Sequence, residues 1–538
     1  MERLDRTDVL HPHPLTSRLA RVGRFDRYDI ATGVLLALGV LVRALAAFPV
    51  HKLSGDADSL LTGMCALHVL HGHFPAFLAV ARQGAAECYL AAGAFAIFGY
   101  SRGSLFGEAF LMDVAGLVAA YFFARELIGR KLACLALLIF AVPSAAVLLI
   151  TYMPVGHSTT FFLMAMSLFL TARIERVGPS VGNVALWGLF AGLGVWHTLL
   201  TLGVSLPAAV WLIASRADVR RLRHLATALG GAVVGAAPWI AYNVLHPLAY
   251  FKESVALGGR HDLHQTIVNA GYALTNDVVG LVVPRATTFI PVLAHLRPVV
   301  LTFFAATIGY AAFALGRAVW TRGRATDAST KAATLALLVV VGSVAILAPS
   351  GVGAPGGWTV RYMLGVWLVA VPLAALLVHR VWRSSRVVAT VAVACVVVLP
   401  LTSYTWPGLP VREAREQALT ADGQLIGRLR AERVDAAIGN YWSVYPINFL
   451  TKDQIRGVPC AATADWLDYE ARVSGHARWA LVEFTNASRS WIPVFVHRRG
   501  VKGRFDSSVP GYRLFLPSPN PPHAGSAAFI ALVRSGCV

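Results

Sequence analysis

Charged residues are scarce in this 538-residue sequence, in which Asp, Glu, Lys and Arg together make up only 14%. Soluble domains carry roughly a quarter charged residues. The low charge, the 56% hydrophobic content and the mean hydropathy of +0.61 therefore exclude an ordinary soluble protein. Apolar runs recur that are long enough to cross a hydrocarbon core of about 30 Å as helices. Because helices pair every backbone amide inside lipid, the sequence predicts a polytopic α-helical membrane protein.

Other features are missing as well. We find no internal repeat, no low-complexity tract and no metal-ligand spacing among the six cysteines. Cys460 and Cys537 lie in the polar C-terminal region, where they either pair, if that region is extracytoplasmic, or remain free. No cleavable signal peptide is expected, because residues 1–29 are polar and rich in arginine. The net charge of +19 resides mostly in short loops between apolar runs, so we expect no nucleic-acid partner.

Eleven spans are predicted, and the positive-inside rule orients them. With the N-terminus in the cytoplasm, the inside segments hold 22 basic residues and the outside loops hold 8. The spans are 30–48, 104–124, 132–150, 157–172, 181–197, 198–214, 225–245, 299–316, 333–349, 358–378 and 387–403. Residues 85–99 are apolar but short, and a span there would invert every later loop. We therefore place them at the outer interface, with a recount to twelve or thirteen spans as the alternative.

This topology divides the chain into three predicted parts. They are a cytoplasmic segment at 1–29, a transmembrane domain at 30–404 whose long first outer loop at 49–103 bears interfacial helices, and an extracytoplasmic tail at 405–538. The tail is expected to be a small α/β domain, with a helix at 411–433 and strands in "VDAAIG" and "RWALVEF".

Two acids, Asp56 and Asp58, follow the first predicted span in "HKLSGDADSLLTGM". Acids so close to hydrocarbon need a reason. A D-x-D pair can hold a divalent cation through hard oxygens. The simpler interpretation is a polar turn in which Asp58 caps the helix predicted over 57–71. His68, His71 and His73 resemble a metal cluster, but we favour histidines of an interfacial helix.

Further candidates lie on the predicted outer face. Arg361 and Tyr362 begin a span in "GGWTVRYML". An arginine there can grip a phosphate with two hydrogen bonds or extend to lipid headgroups. Arg43, near the outer end of the first span, either counters Asp56 or extends to headgroups. The other candidates are Arg82, Glu87, Tyr152, His157 and Arg260.

"SGDADSLLTGMCALHVLHGHFP" and "RQGAAECYLAAGAFAIFGYS" resemble the first outer loop of GT-C class membrane glycosyltransferases. The bacterial family-39-like group, which uses polyprenyl-phosphate-linked sugars, is the most similar. The resemblance continues in "LWGLFAGLGVWHTLL", "GAAPWIAYNVLHP", "VRYMLGVWLVAVPLAALL" and "IGNYWSVYPINFLT", and so covers most of the chain. Ala57 separates the two acids, whereas many relatives have adjacent acids.

The resemblance implies a glycosyltransferase that uses a polyprenyl-phosphate sugar donor and a lipid-linked glycan or lipopolysaccharide acceptor. The site would lie at the outer face of the bacterial cytoplasmic membrane. Asp56 matches the family's catalytic carboxylate, and Arg361, with Arg82 or Arg260, would stabilise the leaving phosphate. No cofactor is expected, with Mg²⁺ or Mn²⁺ as the alternative if Asp58 is a ligand. Partners are the donor, the acceptor and membrane lipids.

Two other classes compete with this interpretation. A transporter or flippase of lipid-linked glycans should carry ionisable residues at mid-bilayer and often has repeated halves. Inside the predicted spans we find mainly Arg43, Glu108 and Asp113, without a repeat. An assembly factor would not need the cluster of acids, histidines and arginines on the outer face.

Overall fold

The structure of the protein is a computed structural model. It describes residues 26–47, 57–79, 83–247, 263–272, 297–320, 327–347, 359–394, 409–459, 478–485 and 491–518. The helices before the tail are α1 Arg27–Ala47, α2 Ala57–Leu70, α3 Ala86–Phe98, α4 Arg102–Ile128, α5 Arg130–Ala141, α6 Ala145–Tyr152, α7 His157–Val177, α8 Val181–His197, α9 Leu202–Ser215, α10 Leu222–Gly235, α11 Ala237–Leu245, α12 Leu263–Tyr272, α13 Arg297–Trp320, α14 Ala328–Leu347, α15 Leu364–Ser384 and α16 at 386–394.

Helix boundaries follow local chemistry. Ser101 caps α4, because its hydroxyl accepts a hydrogen bond from the Ser104 amide at 3.0 Å. The span predicted at 132–150 is not one continuous helix. It is broken between α5 and α6 at Pro143, whose ring cannot continue a helix, and Ser144 caps the second half.

Among the described residues, four helices are long and apolar enough to cross a membrane by length and composition alone. The four helices are Arg27–Leu45, Arg102–Ile128, Ala328–Ile346 and Arg361–Ser384. The pair α10 and α11, bent by 69°, is a fifth candidate. The apolar helices and the fold support a polytopic membrane protein, whereas the number of eleven spans stays a prediction.

The helical bundle is packed through aromatic and small residues. Trp367 of α15 lies between Phe140 and Phe161, with ring centroids 5.1 and 5.8 Å away. Elsewhere in the bundle, α8 lies directly against α10. A Cβ atom on Gly192 would meet the carbonyl oxygen of Ala232 at 2.1 Å, so only glycine allows these two helices to approach so closely.

The interior of the bundle contains one pairing that the sequence did not suggest. Arg43 of α1 and Asp113 of α4 are both buried, and Nε and Oδ2 lie 3.1 Å apart. The Thr151 hydroxyl donates to the same carboxylate oxygen at 3.0 Å. Arg43 therefore does not extend to headgroups; it neutralises an acid inside the bundle.

The segment between α1 and α4 forms a compact unit. It contains α2, a short antiparallel hairpin of β1 Phe77–Ala79 with β2 Gln83–Gly84, and α3. A disulfide between Cys65 and Cys88 joins α2 to α3, with the Cα atoms 5.5 Å apart. The segment 85–99 thus contains a 13-residue helix fixed to a neighbouring helix, consistent with its placement in the first loop.

The tail has a mixed sheet with strand order β4-β3-β5-β7-β6. β3, β4 and β5 are parallel, and β6 and β7 are antiparallel additions. Helix α17 packs on one face and α19 on the other. Both strands expected from the sequence, in "VDAAIG" and "RWALVEF", are present. The elements are α17 Leu409–Ala431, β3 Ala436–Gly439, α18 Tyr441–Thr451, β4 Arg456–Pro459, β5 Trp479–Phe484, α19 Ile492–Arg499, β6 Gly503–Asp506 and β7 Tyr512–Pro517.

The tail rests on the segment between α1 and α4. Phe449 of α18 packs among Leu60, Met64 and Leu105, and the Tyr100 hydroxyl donates to the Phe449 carbonyl at 2.8 Å. Polar contacts flank this packing: His68 Nε2 lies 3.2 Å from the Asp453 carboxylate, and Arg102 forms an ion pair with Asp422 at 3.6 Å. The tail therefore reaches the helix that follows the two acids.

Candidate functional site

The predicted site residues fall into two groups. Asp56, Arg82 and Arg260 lie outside the described residues. The structure places Asp58, Glu87, Tyr152, His157, Arg361 and Tyr362.

Asp58 lies in the first turn of α2. The helix begins at Ala57, so Asp58 is its second residue and not the N-cap that the sequence suggested. Its carboxylate instead accepts a hydrogen bond from the hydroxyl of Tyr441, the first residue of α18. A residue of the tail is thus in direct contact with the acidic segment.

The helices that carry Asp58 and Glu87 lie side by side. Ala57, Cys65, Ala85 and Cys88 belong to one buried cluster, so the start of α2 and the start of α3 share a core. The disulfide fixes this arrangement. The two acidic positions of the first loop are therefore held by one rigid unit.

Glu87 is fully buried and lies at the N-terminus of α7. The Ser158 hydroxyl lies 3.5 Å from Oε1. Burial raises the pKa of Glu87 to about 7, against the opposing effect of hydrogen bonds from the first turn of α7. The residue that precedes α7 is a glycine, which has no side chain for capping, so Glu87 supplies an acid to this positive helix end from α3.

That glycine, Gly156, is required by its surroundings. Its φ of +85° lies in the left-handed region, and an added Cβ would meet Nε2 of Gln83 at 2.2 Å. Gln83 donates to the Val155 carbonyl at 2.7 Å. Nε2 of His197 lies 2.7 Å from the Gly156 carbonyl, and because a carbonyl can only accept, this nitrogen carries the proton. The hairpin and α8 thus hold the loop that presents α7 to Glu87.

Glu108 is a candidate that the sequence analysis did not include in the site. It is buried in α4, and neither carboxyl oxygen has a hydrogen-bond partner among the described residues. It lies close enough to Glu87 for the two carboxyl groups to repel each other. The signal in the sequence is an acid within an apolar run, and that pattern alone favours only the transporter alternative.

Arg361 lies near the same helix end, within electrostatic range of His157. Its Nη2 donates to the Tyr362 hydroxyl at 2.8 Å, and its guanidinium carbon lies 4.9 Å from the centre of that ring. The positive charge of Arg361 acts on the ring of His157, the first residue of α7. The structure therefore brings Glu87, His157 and Arg361 together around the N-terminus of α7.

Two predicted groups lie elsewhere. Tyr152 is buried against Phe106, with ring centroids 6.4 Å apart. His68 pairs with Asp453 of the tail, and its ring lies 5.7 Å from that of His73. Among the described residues, no three His, Cys, Asp or Glu side chains are grouped closely enough to hold one metal ion. Since Asp56 is outside those residues, the Mg²⁺ or Mn²⁺ alternative stays a prediction.

Comparison with known proteins rests on the fold. No protein-family model matches the sequence, and no curated protein sequence matches it significantly. The structure is similar to ArnT from Cupriavidus metallidurans in the apo state, with a TM-score of 0.58 and 12% identity over 90% of this chain and 98% of that chain. The chain has the GT-C fold.

Two further structures share this GT-C fold. ArnT from Cupriavidus metallidurans bound to undecaprenyl phosphate gives a TM-score of 0.58 at 12% identity, covering 89% of this chain and 97% of that chain. The apo oligosaccharyltransferase from Archaeoglobus fulgidus gives 0.52 at 13% identity, covering 93% of this chain and 75% of that chain. The GT-C fold that the sequence resemblance implied is confirmed.

Proposed function

We propose that the protein is a glycosyltransferase that moves a sugar from a polyprenyl-phosphate donor to a lipid-linked glycan or lipopolysaccharide acceptor. The reaction takes place at the outer face of the bacterial cytoplasmic membrane. The fold supports the enzyme class, and one ArnT structure with this fold holds undecaprenyl phosphate. The donor sugar and the acceptor are part of the proposal.

The observation that carries the proposal is the arrangement around the N-terminus of α7. Arg361 and His157 lie there with Glu87, and α2, which follows Asp56, is bonded to the helix of Glu87 through the disulfide. The cation suits a phosphate, whereas a carboxylate of the first loop suits an acceptor hydroxyl. Sugar transfer from a lipid phosphate needs both the cation and the carboxylate.

The chemistry is a displacement at the anomeric carbon. Asp56 takes the proton of an acceptor hydroxyl, whose oxygen forms a bond to the anomeric carbon. The bond between that carbon and the phosphate oxygen breaks, and the lipid phosphate leaves with the electron pair. Arg361 stabilises its negative charge. Because the leaving phosphate is already ionised, no strong general acid is required.

The disulfide supports the orientation in which α2 and α3 lie outside the cytoplasm. Disulfides persist in oxidising compartments and are rare in the cytosol. Cys65 and Cys88 belong to the first predicted outer loop. The exposed apolar residues of α1, among them Val34 and Leu45, form a surface suited to lipid. N-terminus inside and tail outside is therefore the orientation that we propose.

The ion pair inside the bundle weakens the transporter alternative. Of the three ionisable residues expected to support transport, Arg43 and Asp113 form an ion pair, and Thr151 donates to the Asp113 carboxylate. Paired with each other, these two residues offer no net charge to a transported ion. Glu108 remains, and it lies beside Glu87 of the candidate site.

The test is transfer by the purified protein in lipid nanodiscs. Undecaprenyl-phosphate sugars with labelled sugars are incubated with lipid A or lipid-linked glycans, and the products are analysed by mass spectrometry. We expect a product whose mass increases by one sugar, together with free undecaprenyl phosphate. Surface glycans from a deletion strain should lack the same sugar. Movement of a lipid-linked glycan across vesicles without a new glycosidic bond would instead support the flippase and contradict the proposal.

A further inference from the structure

Tyr441 lies just after the carboxyl end of strand β3 in the tail. β3 ends at Gly439, and Asn440 caps the next helix by accepting a hydrogen bond from the Ser443 amide at 2.9 Å. Tyr441 is the first residue of that helix, α18. In open sheets with parallel strands, ligands bind outside the carboxyl ends of the strands. The tyrosine therefore projects from the edge of the tail sheet where binding residues are expected.

The side chain of Tyr441 reaches the first turn of α2. Its hydroxyl donates to Asp58, and its ring packs with the buried cluster that includes Ala57 and Leu61. The ring of Tyr445 packs against the Tyr441 ring in an edge-to-face arrangement, with the ring centroids 4.8 Å apart. Both the hydroxyl and the ring thus restrain the start of α2.

We propose that Tyr441 is a positioning residue for the reacting carboxylate. It fixes the first turn of α2, and Asp56 is joined directly to this turn, since it precedes Asp58 by two residues in the sequence. This inference rests on the proposed function, and it makes the tail a working part of the active site.

The strength of this contact comes from its charge. A hydrogen bond from a hydroxyl to an ionised carboxylate is stronger than one between neutral groups. The bond also joins two rigid elements, since α2 is tied to α3 by the disulfide and α18 is packed against the tail sheet. Loss of the hydroxyl should therefore change the position of the acidic segment without unfolding either part.

The experiment compares Tyr441→Phe with Tyr100→Phe. Both variants lose hydroxyl contacts at the interface between the tail and the first loop, but only Tyr441 contacts Asp58. The Tyr100 hydroxyl instead contacts the Phe449 carbonyl and the Met64 sulfur. We expect Tyr441→Phe to lower kcat roughly tenfold to a hundredfold with little change in the KM for the polyprenyl-phosphate donor. Tyr100→Phe should keep kcat close to the wild-type value.

A double-mutant cycle tests whether Tyr441 acts through its hydrogen bond to Asp58. Asp58→Ala removes the acceptor of the hydrogen bond, so adding Tyr441→Phe to it should produce little further loss of kcat. Independent, multiplicative losses in the double variant would overturn the proposal. So would a Tyr441→Phe variant no slower than Tyr100→Phe.

Hydrogen exchange separates this proposal from the proposed function. Amides in the first two turns of α2 should exchange faster in Tyr441→Phe than in the wild type or in Tyr100→Phe. Unchanged exchange in Tyr441→Phe would overturn the positioning role whether or not sugar transfer is found. If the wild type transfers no sugar, the enzyme assignment is refuted. Faster exchange in Tyr441→Phe would in that case still support the positioning contact.

Discussion

Cys65 and Cys88 are joined by a disulfide that ties the middle of α2 to the first turn of α3. Both cysteines are fully buried, and they share a cluster with Ala57 and Ala85. The acidic segment before α2 and the buried acid Glu87 are thus attached to a single cross-linked unit. Without this bond, the two helices would be held together by their shared apolar core alone.

The disulfide should contribute to stability as well as to position. The two cysteines are 23 residues apart, and closing a loop of this length typically stabilises a fold by about 3 kcal/mol. We expect the double variant Cys65→Ala and Cys88→Ala to melt several degrees below the wild type in detergent. Cys134→Ala is the matched control, because Cys134 is a free cysteine. Equal melting temperatures for all three proteins would contradict this role.

The orientation of the chain can be tested with reporter fusions. The basic residues predict the N-terminus inside and the tail outside. Alkaline phosphatase fused after Pro410 should therefore be active, because this enzyme needs the oxidising exterior to form its disulfides. An inactive phosphatase there, together with an active cytoplasmic reporter at the same position, would show that the topology is inverted.

Glu87 should make stability depend on pH. Its pKa is raised from 4.5 to about 7, because burial disfavours the charged form. The folded protein therefore holds this proton more tightly than the unfolded chain, and stability is lost as pH rises between about 4.5 and 7. Glu87→Gln cannot ionise, so its melting temperature should fall less than that of the wild type over this interval. If the melting temperatures of the wild type and Glu87→Gln change with pH in parallel, this effect of Glu87 is excluded.

Much of the helical architecture was accessible from the sequence, because a membrane helix needs a long local run of apolar residues. The predicted span at 181–197 coincides with α8. The broken span at 132–150 was missed, although Pro143 was visible within it. Hydropathy averages over such a break, so a single proline does not alter the prediction.

The contacts that build the candidate site were not accessible in the same way. Tyr441 and Asp58 are separated by 383 residues, and no local pattern links them. The pairing of Arg43 with Asp113 and the bond between Cys65 and Cys88 likewise depend on which helices become neighbours. Residue types near the outer face could be named from the sequence, but their partners follow only from tertiary packing.

Arg361 is expected to bind the donor phosphate. Arg361→Ala should weaken binding of an undecaprenyl-phosphate donor at least tenfold, since a charge-assisted pair of hydrogen bonds is lost. Arg361→Lys keeps the charge but lacks the planar fork, so it should bind with intermediate affinity. Arg380→Ala, near the C-terminal end of α15, is the control, because Arg361 lies just before the N-terminal end of this helix. Unchanged donor binding in Arg361→Ala would move the role to Arg82 or Arg260.

Asp56 is predicted to be the catalytic carboxylate. It is the first acid after α1 and lies two residues before Asp58, which the tail holds through Tyr441. Asp56→Asn is nearly isosteric but cannot accept the proton of the acceptor hydroxyl. Loss of general-base assistance typically costs about 10² to 10⁴ in rate. We therefore expect sugar transfer by purified Asp56→Asn to fall by this factor, with donor binding retained.

Asp58→Asn is the matched control for this loss. Its side-chain oxygen can still accept from Tyr441, although without the charge, so the variant should lose much less activity than Asp56→Asn. Near-normal transfer by Asp56→Asn would refute the assignment. Chelation distinguishes the metal alternative: activity lost with a chelator and restored by Mg²⁺ or Mn²⁺ would make the two acids ligands of a cation. Transfer that is insensitive to chelation, combined with the inactive Asp56→Asn, would leave Asp56 acting as the base.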